Sequence, residues 1–223
     1  MEINSTAQEM FDDTKLVKPH VIEHDENYKY TPKTFGDNVA KIIVHFSARC
    51  ADILFGRRYG HRAIVLETIA AVPGMVGALF HHLKSLRNIK NDNGWIKELL
   101  DEAENERIHL LVYSEIAKPT MFERILIICV QFGFFIVYFI LYLISPSTAH
   151  RVVGYFEEEA IHSYQTYLRL VDEGEHKNIE ATDTARKYWN LPGNATLRDM
   201  IIATIKDEML HRDVNHKFSS SVR

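Results

Sequence analysis

Apolar residues recur along most of this chain at the three-to-four-residue spacing of α-helices, and no segment alternates convincingly as a β-strand does. Only ten glycines and six prolines interrupt the 223 residues, which predicts at least five or six helices joined by turns. The predicted helices cover about 37–55, 61–89, 95–116, 125–144, 149–171 and 196–216. The polar residues 1–36 are expected to be irregular, and 172–186 to be a linker. The fold class is therefore expected to be all-α.

Local signals indicate where these helices begin and bend. Asp37 is a candidate N-cap of the first helix, and Thr196 with Asp199 has the spacing of a capping box for the last. Pro73 is expected to kink the second helix, and Gly74 would let a neighbouring backbone come close.

Two segments contain more apolar residues than a helix needs to pack one face against a protein core. Residues 125–144 contain no charged side chain and are long enough to cross a bilayer, and residues 38–55 form an amphipathic stripe. A true span would separate acidic helices across the membrane, or draw their carboxylates into hydrocarbon at roughly 3 kcal/mol or more per charge. We therefore expect helices near 38–55 and 121–144 to form the interfacial platform of a monotopic membrane protein. The alternative is a wholly buried core helix.

The charge balance excludes several classes of protein. Twenty-six basic and thirty acidic side chains give a net charge of -4, which argues against a nucleic-acid-binding protein, and an apolar fraction of 46% excludes a disordered chain. Cys50 and Cys129 lie far apart, which excludes a disulfide framework and a thiolate zinc site and suggests a reducing compartment. The first thirty residues are acidic, unlike a transit peptide, so a targeting segment is expected to be absent, unusual or removed.

The pattern that carries chemistry is Glu-x-x-His, which occurs twice about a hundred residues apart. Glu106 precedes His109 and Glu208 precedes His211, and side chains three residues apart share one helix face. Glu67 lies in an apolar context on another predicted helix. One glutamate from each of two helices, with Glu-x-x-His from each of two others, is the ligand set of a di-iron or di-manganese site in a four-helix bundle.

The remaining helix offers three adjacent glutamates, which cannot all reach one metal because successive helical residues point about 100° apart. Spacing alone does not select which of them is the ligand. Tyr164 lies seven residues after Glu157, so choosing Glu157 brings a phenol near the metals. A tyrosine in an apolar bundle is more often part of the core. Four inward carboxylates without counter-charge would each cost on the order of several kcal/mol to desolvate, which favours a metal pair. An iron pair reached from a membrane surface indicates a lipid-soluble reductant and O2 as oxidant.

Several motifs resemble those of the alternative oxidase family, the cyanide-insensitive quinol oxidases of mitochondria, over about residues 37–217. They include Arg58-Tyr59-Gly60, Leu66-Glu67-Thr68, Glu157-Glu158-Glu159-Ala160 and Arg212-Asp213-Val214-Asn215-His216. The resemblance implies a ferritin-like four-helix bundle with a centre of two Fe ions, flanked by the two platform helices. It also implies a non-electrogenic ubiquinol:oxygen oxidoreductase that reduces O2 to water.

The resemblance also assigns roles to single positions. The implied iron ligands are Glu67, Glu106, His109, Glu157, Glu208 and His211. Tyr164 is implied to supply an electron or a hydrogen atom when the O–O bond is cleaved. The residues implied to orient the ligands are Asn105, His150, Asp207 and Trp189. Those implied to line the quinol pocket are Arg62, Leu66, Glu159 and Ser163.

The expected organisation is an N-terminal arm at 1–36, an oxidase domain at 37–217 and a C-terminal tail at 218–223. The resemblance implies a homodimer on the matrix face of the mitochondrial inner membrane, or of a related organelle, with ubiquinol, O2 and the lipid surface as partners and no nucleic acid. The alternatives are a di-iron quinone-biosynthesis hydroxylase, which would place oxygen into the quinone ring, and a ferritin-like iron-binding protein, which would have no use for the apolar helix.

Overall fold

The computed structural model describes residues 25–56 and 58–222. They form seven α-helices: α1 Phe35–Phe55, α2 Tyr59–His81, α3 Trp95–Ala117, α4 Met121–Ile144, α5 Pro146–Asp172, α6 Asp183–Tyr188 and α7 Leu197–Ser221. Within these residues the only β-type pairing is an isolated antiparallel bridge between Glu180 and Thr196. The all-α prediction is confirmed. Most of the expected N-terminal arm, residues 1–24, lies outside the described part.

Four long helices, α2, α3, α5 and α7, form a bundle in which α2 packs most extensively on α3 and α5 on α7. Each of them contributes to the largest core cluster, through residues such as Ile64, Val112, Ile161 and Ile201. Burial of these side chains is the main favourable contribution to folding of such a bundle. The expected four-helix bundle is confirmed, and its axis is where the inward polar side chains meet.

Helices α1 and α4 lie outside this bundle, α1 against α5 and α4 against α2. Helix α4 keeps many large apolar side chains exposed, among them Phe122, Ile128, Phe132, Val137 and Leu143. The Gln131 side chain, a polar group within the apolar run, donates a hydrogen bond to the carbonyl of Thr68 at 3.1 Å. This bond fixes α4 against the middle of α2.

By length and composition, two helical stretches of the described residues could cross a membrane, where the sequence pattern indicated one. In Tyr59–Leu86, 56% of the apolar window is buried inside the protein, whereas in Met121–Ile144 only 17% is buried. The first is therefore a bundle helix, and the second carries the apolar surface that the protein leaves uncovered.

Helix starts follow capping chemistry, with one correction. The N-cap of α1 is Thr34, not Asp37: the Thr34 hydroxyl accepts from the Asp37 amide at 3.1 Å, and the Asp37 carboxylate accepts from the Thr34 amide at 2.9 Å. Asp37 is thus the third helical residue of a capping box, which satisfies two free amides. The capping box predicted at Thr196 and Asp199 is confirmed.

Three boundaries differ from the sequence-based prediction. Helix α2 ends at His81 and is followed by a five-residue π-helix, His82–Leu86, instead of continuing as an α-helix to residue 89. The expected linker at 172–186 contains the start of α6. Helix α7 continues to Ser221, so most of the expected tail at 218–223 is helical: Phe218 is buried and stacks on Trp95 with ring centroids 3.8 Å apart.

Helix α2 contains Pro73 without ending there, and the next residue, Gly74, packs closely against α3. A Cβ atom at Gly74 would lie 2.3 Å from the carbonyl oxygen of Leu99 and 3.0 Å from the Ala103 Cβ. The absence of a side chain therefore sets the α2–α3 distance, as the sequence predicted for this glycine.

Candidate metal centre

The six side chains expected to bind iron all point into the bundle axis. Helix α2 supplies Glu67, α3 supplies Glu106 and His109, α5 supplies Glu157, and α7 supplies Glu208 and His211. All six are between 0% and 5% exposed. Four separate helices therefore converge on one buried, acidic site.

The six side chains form two overlapping groups, in each of which the potential ligand atoms lie within 4.8 Å of one another. The first group is Glu67, Glu106, His109 and Glu208, and the second is Glu106, Glu157, Glu208 and His211. Glu106 and Glu208 belong to both groups. The geometry thus provides two adjacent positions for a cation that share two carboxylates.

The shared carboxylates lack hydrogen bonds. Both oxygens of Glu106 and of Glu208 are buried without a hydrogen-bond partner, as are the Nδ1 atoms of His109 and His211. His211 Nδ1 lies 2.7 Å from Glu106 Oε1, and His109 Nδ1 lies 3.3 Å from Glu208 Oε1, but neither contact has hydrogen-bond geometry. Buried polar atoms without partners are strongly unfavourable. These converging oxygens and nitrogens are a donor set that fits a first-row transition metal.

The pKa values of the carboxyl groups reflect this crowding. Burial, followed by repulsion from Glu106 and Glu208, raises the pKa of Glu67 well above its ordinary value. The pKa of Glu157 is raised for the same reasons. Burial alone would also raise the pKa of Glu106, but the contacts with His109 and His211 lower it well below its ordinary value. Burial and mutual repulsion thus favour the protonated forms of Glu67 and Glu157, whereas a bound cation would favour their ionised forms.

A group of hydrogen bonds behind the site orients His109. Asp207 Oδ2 accepts from Asn105 Nδ2 at 2.9 Å and from Trp189 Nε1 at 2.8 Å, and it lies 3.2 Å from His109 Nε2. With Nε2 held by the carboxylate, Nδ1 faces the candidate metal positions. Three of the four residues expected to orient the ligands thus meet in one cluster.

The fourth, His150, contacts none of the six side chains. Its Nδ1 lies 3.0 Å from Asn215 Oδ1 and its Nε2 lies 3.0 Å from the Tyr142 hydroxyl. Asn215 in turn donates to the backbone carbonyl of His211 at 3.0 Å. His150 therefore reaches the site only through Asn215.

Tyr164 lies beside the centre, as its spacing from Glu157 predicted. Its hydroxyl donates a hydrogen bond to Glu67 Oε1, and its ring stacks on Tyr113 with centroids 5.3 Å apart. Burial, followed by the negative charge of Glu67, raises the pKa of Tyr164 well above its ordinary value. The phenol therefore keeps its hydrogen at neutral pH.

A cleft with about 800 Å³ of empty space, part of it open to solvent, runs from the cluster towards α1 and α4. Four of the candidate ligands line it: Glu67, Glu106, Glu157 and Glu208. Its other walls are mainly apolar and include Ala48, Ile69, Pro73, Phe134, Phe156 and Ala160.

Three of the four residues expected to contact quinol line this cleft, namely Arg62, Leu66 and Glu159. Ser163 is half-buried on α5 but is not part of the lining. Arg62 is a buried side chain that pairs with Asp52 of α1, which differs from a solvated surface arginine.

Comparison with known proteins settles the family. The sequence profile described as Alternative oxidase matches residues 17–220. The chain belongs to the alternative oxidase family. Three similar relatives are the mitochondrial ubiquinol oxidase of Mangifera indica (53% identical, covering 87% of this chain), ubiquinol oxidase 1a of Arabidopsis thaliana (53%, 86%) and ubiquinol oxidase 2 of Nicotiana tabacum (52%, 84%). The aligned region is 61%, 54% and 63% of the length of these relatives, respectively.

In this alternative oxidase chain, two buried polar residues near the centre were missed by sequence reasoning. Asn215 donates to Glu102 Oε2 at 2.8 Å, and burial raises the pKa of Glu102 to about 7. Both could have been found from helical spacing, since Glu102 precedes Glu106 by four residues and Asn215 follows His211 by four.

Proposed function

We propose that this chain is a ubiquinol oxidase that transfers four electrons from two ubiquinols to O2 and forms two waters. The main support is the pair of overlapping carboxylate–imidazole groups that share Glu106 and Glu208. The substrates come from the printed names of relatives about half identical to this chain. We also propose that the reaction is non-electrogenic, as membership of the alternative oxidase family implies.

The cofactor of this proposal is a pair of iron ions. Glu67 and His109 would hold one ion, Glu157 and His211 the other, and Glu106 and Glu208 would contact both. When bound, the iron pair supplies the site at which O2 is reduced. The four carboxylates offset the positive charge, and Asp207 fixes the ring of His109 so that its Nδ1 points inward.

The cleft is the proposed quinol site. Its mainly apolar walls suit a lipid-borne ring, while Arg62 and Glu159 offer the charged groups that can orient the ring oxygens. Glu159 can accept a hydrogen bond from a quinol hydroxyl, and Arg62 can donate one to a carbonyl. Residues of α1 and α4 form part of the wall, so the entrance lies beside the exposed apolar helices.

Tyr164 is proposed as the side chain that supplies an electron or a hydrogen atom during O2 reduction. Its hydroxyl contacts Glu67, and a phenol that keeps its proton can give up a hydrogen atom. Asn105, Asp207 and Trp189 are proposed to orient the ligands, and His150 to support α7 through Asn215.

The membrane arrangement is part of the same proposal. We propose a monotopic protein on the matrix face of the mitochondrial inner membrane, with α1 and α4 in the interface. The exposed apolar side chains of both helices support it, as do relatives whose names place them in mitochondria. The assignment as a homodimer rests on the family resemblance alone.

The test is cyanide-resistant oxygen uptake by the iron-loaded protein in liposomes that contain ubiquinol. We expect Glu106→Ala to lose both iron and oxygen uptake, because it removes a carboxylate that belongs to both groups. The matched control is Glu104→Ala, which removes an exposed glutamate of the same helix. Oxygen uptake by Glu106→Ala at the wild-type rate would contradict the proposal. Hydroxylated quinone as product would indicate a hydroxylase, and many irons per chain without quinol oxidation would indicate an iron-storage protein.

A further inference from the structure

Two aromatic side chains connect the candidate metal centre with the protein surface. The ring centroids of His109 and Trp189 are 5.7 Å apart, and those of Trp189 and Tyr188 are 5.6 Å apart. His109 is fully buried, whereas Tyr188 is 43% exposed. Two ring contacts therefore lead from a candidate ligand to solvent.

We propose that Trp189 and Tyr188 form an electron route by which an external reductant reaches the centre when quinol is absent. The route would prevent oxidation of the buried side chains around the site. It rests on the proposed function, because the oxidant is O2 reduced at that centre. The external reductant that we propose for this route is a thiol in solution, which donates one electron.

The electron count shows why such a route is needed. Reduction of O2 to two waters takes four electrons and four protons. Two iron ions held by the candidate ligands would provide two electrons on passing from the ferrous to the ferric state, and Tyr164 would provide a third. Without quinol, the fourth electron has to come from elsewhere in the protein.

Tyr188 can supply that electron in a balanced step. It passes one electron through Trp189 to the centre and releases its phenolic proton to solvent, which leaves a neutral tyrosyl radical at the surface. A thiol in solution then returns one electron and one proton to Tyr188 and becomes a thiyl radical.

The hydrogen bonds around the two rings suit this step. Trp189 Nε1 donates to Asp207 Oδ2 at 2.8 Å, and a carboxylate next to the indole stabilises the positive charge formed when the ring loses an electron. Asn105 Nδ2 donates to the Tyr188 hydroxyl oxygen at 2.7 Å. This bond uses the oxygen only as an acceptor, so it persists after the phenol loses its proton.

The other aromatic pair at the centre, Tyr164 and Tyr113, consists of two buried rings. Tyr164 stacks on Tyr113, but Tyr113 is fully buried and its hydroxyl contacts Thr204 at 3.1 Å. Among the described residues, Tyr113 has no ring contact with an exposed tyrosine or tryptophan. By contrast, the ring contacts that begin at His109 lead through Trp189 to Tyr188, which is exposed.

The experiment uses iron-loaded full-length protein in detergent, reduced with dithionite and then exposed to O2 without quinol in the presence of a water-soluble spin trap. Mass spectrometry of the peptides locates the trap adduct. We expect the adduct on Tyr188, its loss in Tyr188→Phe, and its loss from Tyr188 in Trp189→Phe, where the phenol remains but the route is broken. Excess ubiquinol should suppress the adduct, because quinol then supplies the missing electron.

The matched control is Tyr28→Phe, which removes a tyrosine that is equally exposed, at 44%, and should leave the Tyr188 adduct unchanged. Absence of the adduct from Tyr188 in wild-type protein that has reacted with O2 would overturn the inference, and this measurement needs no variant. A wild-type adduct yield in an iron-loaded Trp189→Phe protein would do the same.

The two proposals can fail separately. If ubiquinol supports oxygen uptake and Tyr188 stays unlabelled, only the electron route is wrong. If Tyr188 is labelled after dithionite reduction but ubiquinol neither suppresses the label nor supports oxygen uptake, only the proposed quinol oxidation is wrong.

Discussion

Side chains of the same residue type make different contacts around the bundle axis. The three adjacent glutamates of α5 illustrate this. Glu157 enters the acidic cluster, Glu158 accepts from the Tyr30 amide at 2.7 Å and contacts His216, and Glu159 lines the cleft. Rotation by about 100° per helical residue sends each carboxylate to a different neighbour.

Much of the candidate site could be predicted at this scale. Glu-x-x-His spacing places two ligand pairs on inward faces, and the seven-residue spacing to Tyr164 led to Glu157, the glutamate that enters the cluster. The contacts of His150 could not be predicted, because they depend on how α5 packs against α7. Its partner Asn215 lies 65 residues away in the sequence.

The first residue-scale prediction concerns Asp207. Asp207→Asn removes the charge that contacts His109 Nε2, so we expect iron affinity to fall about 10–100-fold. Competition with a coloured chelator measures this affinity. The control is Asp183→Asn, an exposed aspartate paired with Arg186. Equal iron affinities of Asp207→Asn and wild type would show that the contact does not orient the ligand.

At the scale of helices, the sequence predicted the order and approximate length of the long elements, because their apolar faces repeat over many turns. The ends were less predictable. The π-helix after His81, the short helix α6 and the last turn of α7 depend on tertiary contacts, such as that of Phe218 with Trp95. Propensity alone does not encode such contacts.

The α2–α3 contact yields a stability prediction. In Gly74→Ala the new methyl group collides with the Leu99 carbonyl, so we expect a loss of about 1–3 kcal/mol in the free energy of unfolding. The matched control is Gly133→Ala in α4, where a Cβ has no neighbour within 4 Å and helix propensity favours alanine by up to about 1 kcal/mol. Urea unfolding followed by circular dichroism measures both. Similar effects of the two substitutions would contradict the proposed close packing.

The start of α1 yields a pH prediction. Asp37 is buried and accepts from the Arg151 guanidinium at 2.9 Å. Burial alone would raise its pKa, but bonds from the Lys33 amide, Thr34 and Arg151 hold it below its ordinary value of 3.8. We expect Asp37→Asn to lower the free energy of unfolding by about 1–3 kcal/mol at pH 7, because the buried Arg151 guanidinium loses its carboxylate partner and keeps only its polar contacts with His216 and Ser220.

The sign of the pH dependence follows from the lowered pKa. The Asp37 carboxylate stabilises the fold fully above the pKa of the unfolded chain, and this contribution is lost as the pH falls through the folded value, below 3.8. The difference in stability between wild type and Asp37→Asn should therefore narrow only in that acidic range. Narrowing of the difference already at pH 6 would assign the effect to another group.

At the scale of the whole molecule, the proposed membrane platform consists of the large apolar residues that α1 and α4 leave exposed. Phe46 is 71% exposed and Phe132 is 65% exposed. The sequence predicted this surface from the uncharged run at 125–144, and the low burial of Met121–Ile144 agrees with it. Domain boundaries and the pairing of two copies remain predictions.

Vesicle binding tests the platform. We expect the double variant Phe46→Glu and Phe132→Glu to bind liposomes at least about 100-fold more weakly than wild type. Each phenylalanine side chain that enters the lipid contributes roughly 1.5–3 kcal/mol to the free energy of binding. Flotation of the protein with liposomes measures this binding. Leu111→Glu, on α3 and outside both platform helices, is the control. Unchanged flotation of the double variant would show that α1 and α4 do not contact lipid.

The candidate ligands are divided between the two pairs of bundle helices, so neither pair can form the site alone. Glu67, Glu106 and His109 come from residues 59–117, and Glu157, Glu208 and His211 come from residues 146–221, yet each group of four combines both halves. A ribosome-bound chain whose α7 is still unmade contains neither complete group. The proposed iron pair can therefore be held only once α7 has been synthesised and packed against the other bundle helices.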